Sequence, residues 1–376
     1  MTSPSALRPE ILVDLAAVRH NVRTLGELTG VASMTVVKAD GYGHGMVEVA
    51  RAAREAGSPW LGVATVGEAL ALRESGDEGR VLCWLHAPDE DFRAVLAAGV
   101  EVTASSLDEL ERIARAAREL ETVAAVQLKV DTGLSRNGAP VAAWPGLVAR
   151  ARQGEQAGSW RVSGVWSHLA ASDEPDHPAN DAQEQAFRDA LQVAEEAGLR
   201  PEVRHLANSA AGILRPSSRF DLVRFGLASY GLDPAPGHTP DLGLRPAMTV
   251  HAPLVIVKEI AAGTGVSYGH TWHAETATTV GLVPVGYGDG VPRHASNSAH
   301  VLADGKRRAV RGRVCMDQLV IDLDGDTPEP GTDVVLFGPG THGEPTAQDW
   351  AEAAGTISYE IVTRVGGRMT RRTTDS

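Results

Sequence analysis

Long apolar runs are missing from this 376-residue chain. None reaches the ~18 residues that a membrane-spanning helix needs, and the opening MTSPSALRPE lacks the basic start and apolar core of a secretion signal. A cytoplasmic protein with no membrane partner is expected. Cysteine is almost absent: Cys83 and Cys315 cannot build a disulfide framework, which agrees with a reducing compartment, and Cys83 reads as buried filler. Basic charge is in deficit, 35 Lys and Arg against 48 Asp and Glu, and the formal charge of −13 argues against a nucleic-acid partner. One small phosphorylated ligand stays possible, because it needs only a few local N–H groups and hydroxyls. No metal ligand set is expected. Only five tyrosines occur, at 42, 230, 268, 287 and 359, so each is more informative than usual.

What is present is enough apolar material, 43% of residues, for two domains. Through roughly the first 240 residues, short apolar runs alternate with helical periodicity. The runs are SMTVVK, LGVAT, RVLCWL, VEVTAS, AVQLKV, VSGVWSHL, EVRHLAN and DLVRFG. Eight strands alternating with helices predict an α/β fold, a (β/α)8 barrel over residues 1–240. SLDELERIARAAREL at 106–120 has the serine cap, early acids and apolar spacing of one such helix. From about 245 the pattern changes to β-branched runs with turns, predicting a mostly antiparallel β domain over 241–376. The Pro- and Gly-rich stretch 232–243 reads as the linker, and the final TRRTTDS as a low-complexity tail.

Lys38 stands where an apolar run enters the glycine-rich turn of VVKADGYGHG. A desolvated lysine becomes neutral more readily and can attack a carbonyl. The glycines let backbone approach a ligand, and a helix from Met46 to Ala56 offers its N-terminus to an anion. Lysine, tyrosine and an anion site suggest pyridoxal phosphate. Barrel enzymes hold their chemistry at the carboxyl ends of the strands. There the sequence places Lys129 and Asp131, His168, Asn208 and Ser209, and Arg224. Alone, a histidine there is an ordinary interior residue and an arginine an ion-pair partner; their shared placement points to a site.

VVKADGYGHG resembles the cofactor-lysine segment of alanine racemases, of the actinobacterial type. LKVDTGLSRNG at 128–138, VRFG at 223–226, VSYGHTW at 266–272, and GYGDG at 286–290 with CMDQ at 315–318 agree with that family in order. The resemblance implies pyridoxal 5'-phosphate held as an imine on Lys38, with Lys38 and Tyr268 as two catalytic bases on opposite faces of L-alanine and D-alanine. It implies further cofactor contacts from Tyr42, Arg136, His168, Ser209, Arg224, Gly226, Leu227 and Tyr359. Substrate contacts fall on Arg136, Tyr287, Met316 and Asp317, and Lys129 is a candidate carbamate. It also implies a homodimer with shared active sites, residues 11–17 joining the second domain, and D-alanine for peptidoglycan.

Two departures stand out: Phe225 where the family usually has proline, and glycine for alanine at the third position of GYGDG. Tyr230 reads as packing. Related decarboxylases for basic amino acids typically use a cysteine and a ring-nitrogen acid, against which VSYGHTW and Arg224 speak. The β domain carrying Tyr268 speaks against a non-catalytic barrel-only protein. A broad-specificity amino-acid racemase stays open.

Overall fold

The computed structural model describes residues 8–375, so the reading of the opening segment falls mostly outside the described residues. These divide into two compact units. The first comprises residues 18–41 and 46–244, and the second comprises the residues up to Ala17, Tyr42–Gly45 and those from Arg245.

The first unit is the barrel. Its strands are β2 (Ala32–Val36), β3 (Trp60–Val63), β4 (Arg80–Cys83), β5 (Glu101–Ala104), β6 (Ala124–Lys129), β7 (Trp160–Trp166), β8 (Val203–His205) and β9 (Leu222–Phe225), each overlapping one of the eight predicted runs, with β2, β3, β6 and β7 starting one or two residues earlier. They pair in parallel in the order β8-β7-β6-β5-β4-β3-β2-β9. Between the end strands β8 and β9, Asp221 N–H donates to Arg204 O at 3.0 Å and Arg224 N–H to Ala207 O at 3.1 Å, which nearly closes the ring. Met34, Trp60, Leu82, Trp166, Val203 and Leu222, from six different strands, form one buried cluster. Removing each large apolar side chain from water contributes roughly 1.5–3 kcal/mol. Helix Leu107–Glu119 is capped by Ser106 Oγ, which accepts from Glu109 N–H at 3.2 Å, and buries Leu110 and Ile113 against the sheet side. Tyr230 packs as expected, fully buried with its hydroxyl donating to Val36 O at 2.9 Å.

The second unit is a β domain. A six-stranded sheet has the order β16-β15-β18-β10-β1-β19, from β1 (Glu10–Asp14), β10 (Met248–Pro253), β15 (His300–Ala303), β16 (Lys306–Ala309), β18 (Asp333–Phe337) and β19 (Thr370–Thr374). A three-stranded sheet joins β11 (Ile256–Ile260), β14 (Thr278–Val283) and β17 (Leu319–Asp322), and β12 (Gly265–Val266) pairs with β13 (Trp272–His273). All of these pairings are antiparallel except β1 with β19. The tail reading is thereby corrected: Thr370–Thr374 forms an edge strand on β1, because ladder bonds use the backbone and accept polar, exposed side chains. Among the described residues no helix is long and apolar enough to cross a membrane.

Candidate active site

The barrel's carboxyl end gathers a cluster of cations. Just past β2, Ala39, Asp40 and Gly41 take left-handed φ values of 53°, 52° and 62°. Such a run in L-residues is strained. Local bonds hold it: Ala39 N–H donates to Glu68 Oε1 at 2.7 Å, and Asp40 Oδ1 accepts from Met46 N–H at 2.9 Å at the start of helix Met46–Glu55. This turn carries Lys38. Burial, then Arg136, lowers its amine pKa, and Glu68 opposes them.

Lys129 ends β6, its Nζ 4.2 Å from the ring centre of Trp166. Burial first, then Arg224 and Arg136, brings its pKa down to about 7. Asp131 and Asn137 hold the following loop: Asp131 Oδ1 accepts from Gly133 N–H at 2.9 Å and Ser135 N–H at 3.1 Å, and Asn137 Oδ1 accepts from Ser105 Oγ at 3.1 Å. Arg136 lies exposed between them.

Arg224, in β9, is 4% exposed. It donates to Ser167 O at 2.9 Å, Leu206 O at 2.9 Å, His205 Nδ1 at 2.9 Å and His168 Nδ1 at 3.0 Å. Burial pulls its pKa to about 9, so it is charged at neutral pH. Burial and then Arg224 push both histidines well below the usual imidazole range, so both are neutral. Asn208 caps helix Ser209–Leu214, and Ser209 Oγ accepts from Gly226 N–H at 3.0 Å, which brings Ser209, Gly226 and Leu227 together. The Gly226 N–H is therefore already engaged within the protein.

The second unit carries Tyr42, Tyr268, Tyr287 and Tyr359. Tyr42 and Tyr359 have ring centres 6.3 Å apart. Burial, then Tyr359, drives the Tyr42 phenol pKa upward, so it stays protonated as a donor. Gly43 is required beside them, since a Cβ would come within 2.1 Å of Val362 O. Tyr268 is 69% exposed in a short turn after Ser267, whose hydroxyl donates to Arg313 O at 2.6 Å. Tyr287 N–H donates to Cys315 O at 3.0 Å and Gly288 N–H to Met316 O at 2.8 Å, joining the GYGDG and CMDQ segments. Gly286 permits this, because a Cβ there would meet Cys315 O at 2.2 Å.

A residue the sequence reading missed fastens both segments. Arg368 donates to both oxygens of the buried Asp289 at 2.9 Å and to Asp317 Oδ1 at 2.7 Å. Asp289 lay inside a recognised motif; nothing in VGGRMTRR marked its partner.

A nearly closed parallel barrel carrying the half-buried Lys38 at its carboxyl end, together with a largely antiparallel β domain, is the architecture of the barrel-plus-β-domain enzyme class. Residues 13–234 match the family model "Alanine racemase, N-terminal domain" and residues 247–373 the model "Alanine racemase, C-terminal domain". An alanine racemase of Streptomyces coelicolor is 54% identical over 98% of this chain and 96% of its own, and one of Thermobifida fusca is 52% identical over 96% and 97%. A solved alanine racemase from D-cycloserine-producing Streptomyces lavendulae superposes with a TM-score of 0.97 at 49% identity, covering 99% of this chain and 98% of that one. The Streptomyces coelicolor structure gives 0.97 at 53% identity, covering 99% of each. The chain belongs to the alanine racemase family.

Proposed function

We propose that the protein interconverts L-alanine and D-alanine with pyridoxal 5'-phosphate, as a cytoplasmic homodimer with shared active sites, supplying D-alanine for peptidoglycan. The observation that carries this reading is the cation cluster. Lys38, Lys129, Arg136 and Arg224 act on one another, with Glu68 offsetting Lys38 and Asp131 offsetting Lys129. Such a cluster suits an anionic, phosphorylated aldehyde, which supplies the missing negative charge and a carbonyl for the amine.

Lys38 would hold the aldehyde. By their family positions Tyr42, Tyr359, Ser209 and Leu227 would hold the phosphate, Gly226 would act through its bond to Ser209 Oγ, and Arg136, His168 and Arg224 would lie toward the ring. When bound, pyridoxal phosphate supplies the electron sink that makes an amino acid's α-proton removable. The Lys38 amine moves that proton on the D-face and the Tyr268 phenol on the L-face. A phenol is about one part in a thousand ionised at pH 7, so making its phenolate costs roughly 4 kcal/mol and calls for cationic neighbours. Arg224 can only donate, so it can bond a ring nitrogen but cannot keep a proton on it. Arg136 faces the substrate carboxylate, and Tyr287, Met316 and Asp317 line the substrate's path. A neutral Lys129 amine can add carbon dioxide, and the resulting carbamate would turn its repulsion of Arg136 and Arg224 into attraction.

The test is to supply the purified protein with pyridoxal phosphate and follow optical rotation from either enantiomer of alanine. Convergence on an equal mixture is expected. So is a visible absorption band that is lost, with activity, in Lys38→Ala. Colourless wild-type protein would sink the reading.

A further inference from the structure

A line of hydrogen bonds crosses the barrel interior from its floor to Arg224. Arginine has no acceptor, so the His205 Nδ1 that meets Arg224 Nη1 at 2.9 Å must offer its lone pair. The neutral ring then carries its proton on Nε2, which lies 2.7 Å from Gln127 Oε1 and donates to it. Gln127 Nε2 is thereby left to donate to Glu101 Oε2 at 3.1 Å. The same oxygen takes a bond from Ser163 Oγ, while Arg80 Nε donates to Oε1 at 2.7 Å. The polarity is forced at both ends: an arginine cannot accept, and a carboxylate paired with arginine cannot donate.

We propose that Glu101, at the first residue of β5 on the barrel floor, is a positioning residue that sets the tautomer of His205 through Gln127 and so fixes the donor fork of Arg224. The route is built into the interior. Gln127, Ser163 and His205 are fully buried and Glu101 is 4% exposed. Gly164, opposite Gln127, leaves the space its amide occupies, since a Cβ there would come within 2.8 Å. Trp166 stacks on His205 at 5.4 Å and 7°, which holds the ring plane. A buried carboxylate that served only the floor pair with Arg80 would need neither Gln127 nor the histidine beyond it.

Glu101→Gln removes the constraint. An amide both donates and accepts, so Gln127 can turn over. His205 Nε2 must then accept, which moves its proton to Nδ1 against Arg224 and displaces the guanidinium. The consequence for turnover rests on the racemase reading above; the tautomer does not.

The experiment is nitrogen NMR of the full-length purified protein carrying 15N-histidine, with the His205 signal identified by its loss in His205→Asn. Wild type should show the Nε2–H form alone, unchanged from mildly acidic to mildly alkaline pH. Glu101→Gln should give a mixture or the Nδ1–H form. Its kcat should fall between about 10- and 100-fold, as for other outer partners that orient a directly acting group, with little change in KM. Gln127→Met, which cuts the line but spares the Arg80–Glu101 pair, should do the same and decides the matter if Glu101→Gln does not fold. Ser163→Ala, which removes a bond beside the line, should leave the tautomer in place. Wild type in the Nδ1–H form, or a tautomer and kcat unmoved in the line-breaking variants, would overturn the proposal. Wild type without racemase activity would sink the racemase reading while leaving the tautomer assignment standing.

Discussion

Arg224 donates to His168 Nδ1 at 3.0 Å, so this imidazole, like that of His205, accepts on Nδ1 and carries its proton on Nε2. The arginine thus meets two neutral rings in the same tautomer, and neither can share its charge. Arg224→Glu would place at this point a group able to hold a proton. Such a variant should retain the cofactor but form keto acid at the expense of racemisation, as followed by pyruvate release per D-alanine made. An unchanged product ratio would place Arg224 outside the reaction.

Lys129 gives a pH signature. Its folded pKa, about 7, lies below its unfolded value near 10.4. Between those values the unfolded chain binds the extra proton, so this group makes stability rise with pH; below about 7 both states are protonated and its contribution is flat. Lys129→Met should flatten this rise in Tm. Bicarbonate should raise the wild-type Tm near neutral pH, and 13C-bicarbonate should label the protein. No labelled carbonyl carbon in the wild type, or one that persists in Lys129→Met, would rule out the carbamate.

Arg368 should act on substrate placement. Arg368→Ala frees the Tyr287 and Met316–Asp317 segments from their common anchor, so KM for alanine is expected to rise about tenfold with a smaller change in kcat. Arg368→Lys, which cannot span both oxygens of Asp289 in the same fork, should recover only part of the loss. Unaltered kinetics in Arg368→Ala would reduce the clamp to a surface contact.

Much of this was written in the sequence because it depends on local pattern. The eight apolar runs each overlap one of the eight barrel strands, and Ser106 caps its helix where the spacing places it. Lys38 was legible because it stands where an apolar run meets a glycine-rich turn, in which Gly41 takes a left-handed φ and Gly43 leaves no room for a Cβ beside Val362 O. What escaped depends on distance along the chain. Arg368 and Asp289 are 79 residues apart, and His205 and Gln127 are 78. In EVRHLAN and AVQLKV the latter two read only as polar letters in strands. β19 was missed for another reason: an edge strand needs backbone partners on one side only, so its polar side chains carry no apolar signature. Helices Ala347–Ala354 and Ser358–Arg364 lie in the region expected to be a mostly antiparallel β domain, and no run there is read as a helix.

The shared-site proposal is open to subunit mixing. Lys38→Ala and Tyr268→Phe should each be severely impaired. After exchange about half the dimers are mixed, each with one site holding both wild-type residues, so recovered activity should approach roughly a quarter of wild type. No recovery, with exchange shown by tagged subunits, would mean that the two residues act within one chain.

The most direct test of the two-base assignment is α-proton exchange in deuterium oxide, followed for each enantiomer of alanine by NMR. Lys38 on the D-face and Tyr268 on the L-face predict that Tyr268→Phe still exchanges the α-proton of D-alanine while losing exchange on L-alanine. Equal exchange of both enantiomers by Tyr268→Phe, or loss on D-alanine alone, would contradict the account.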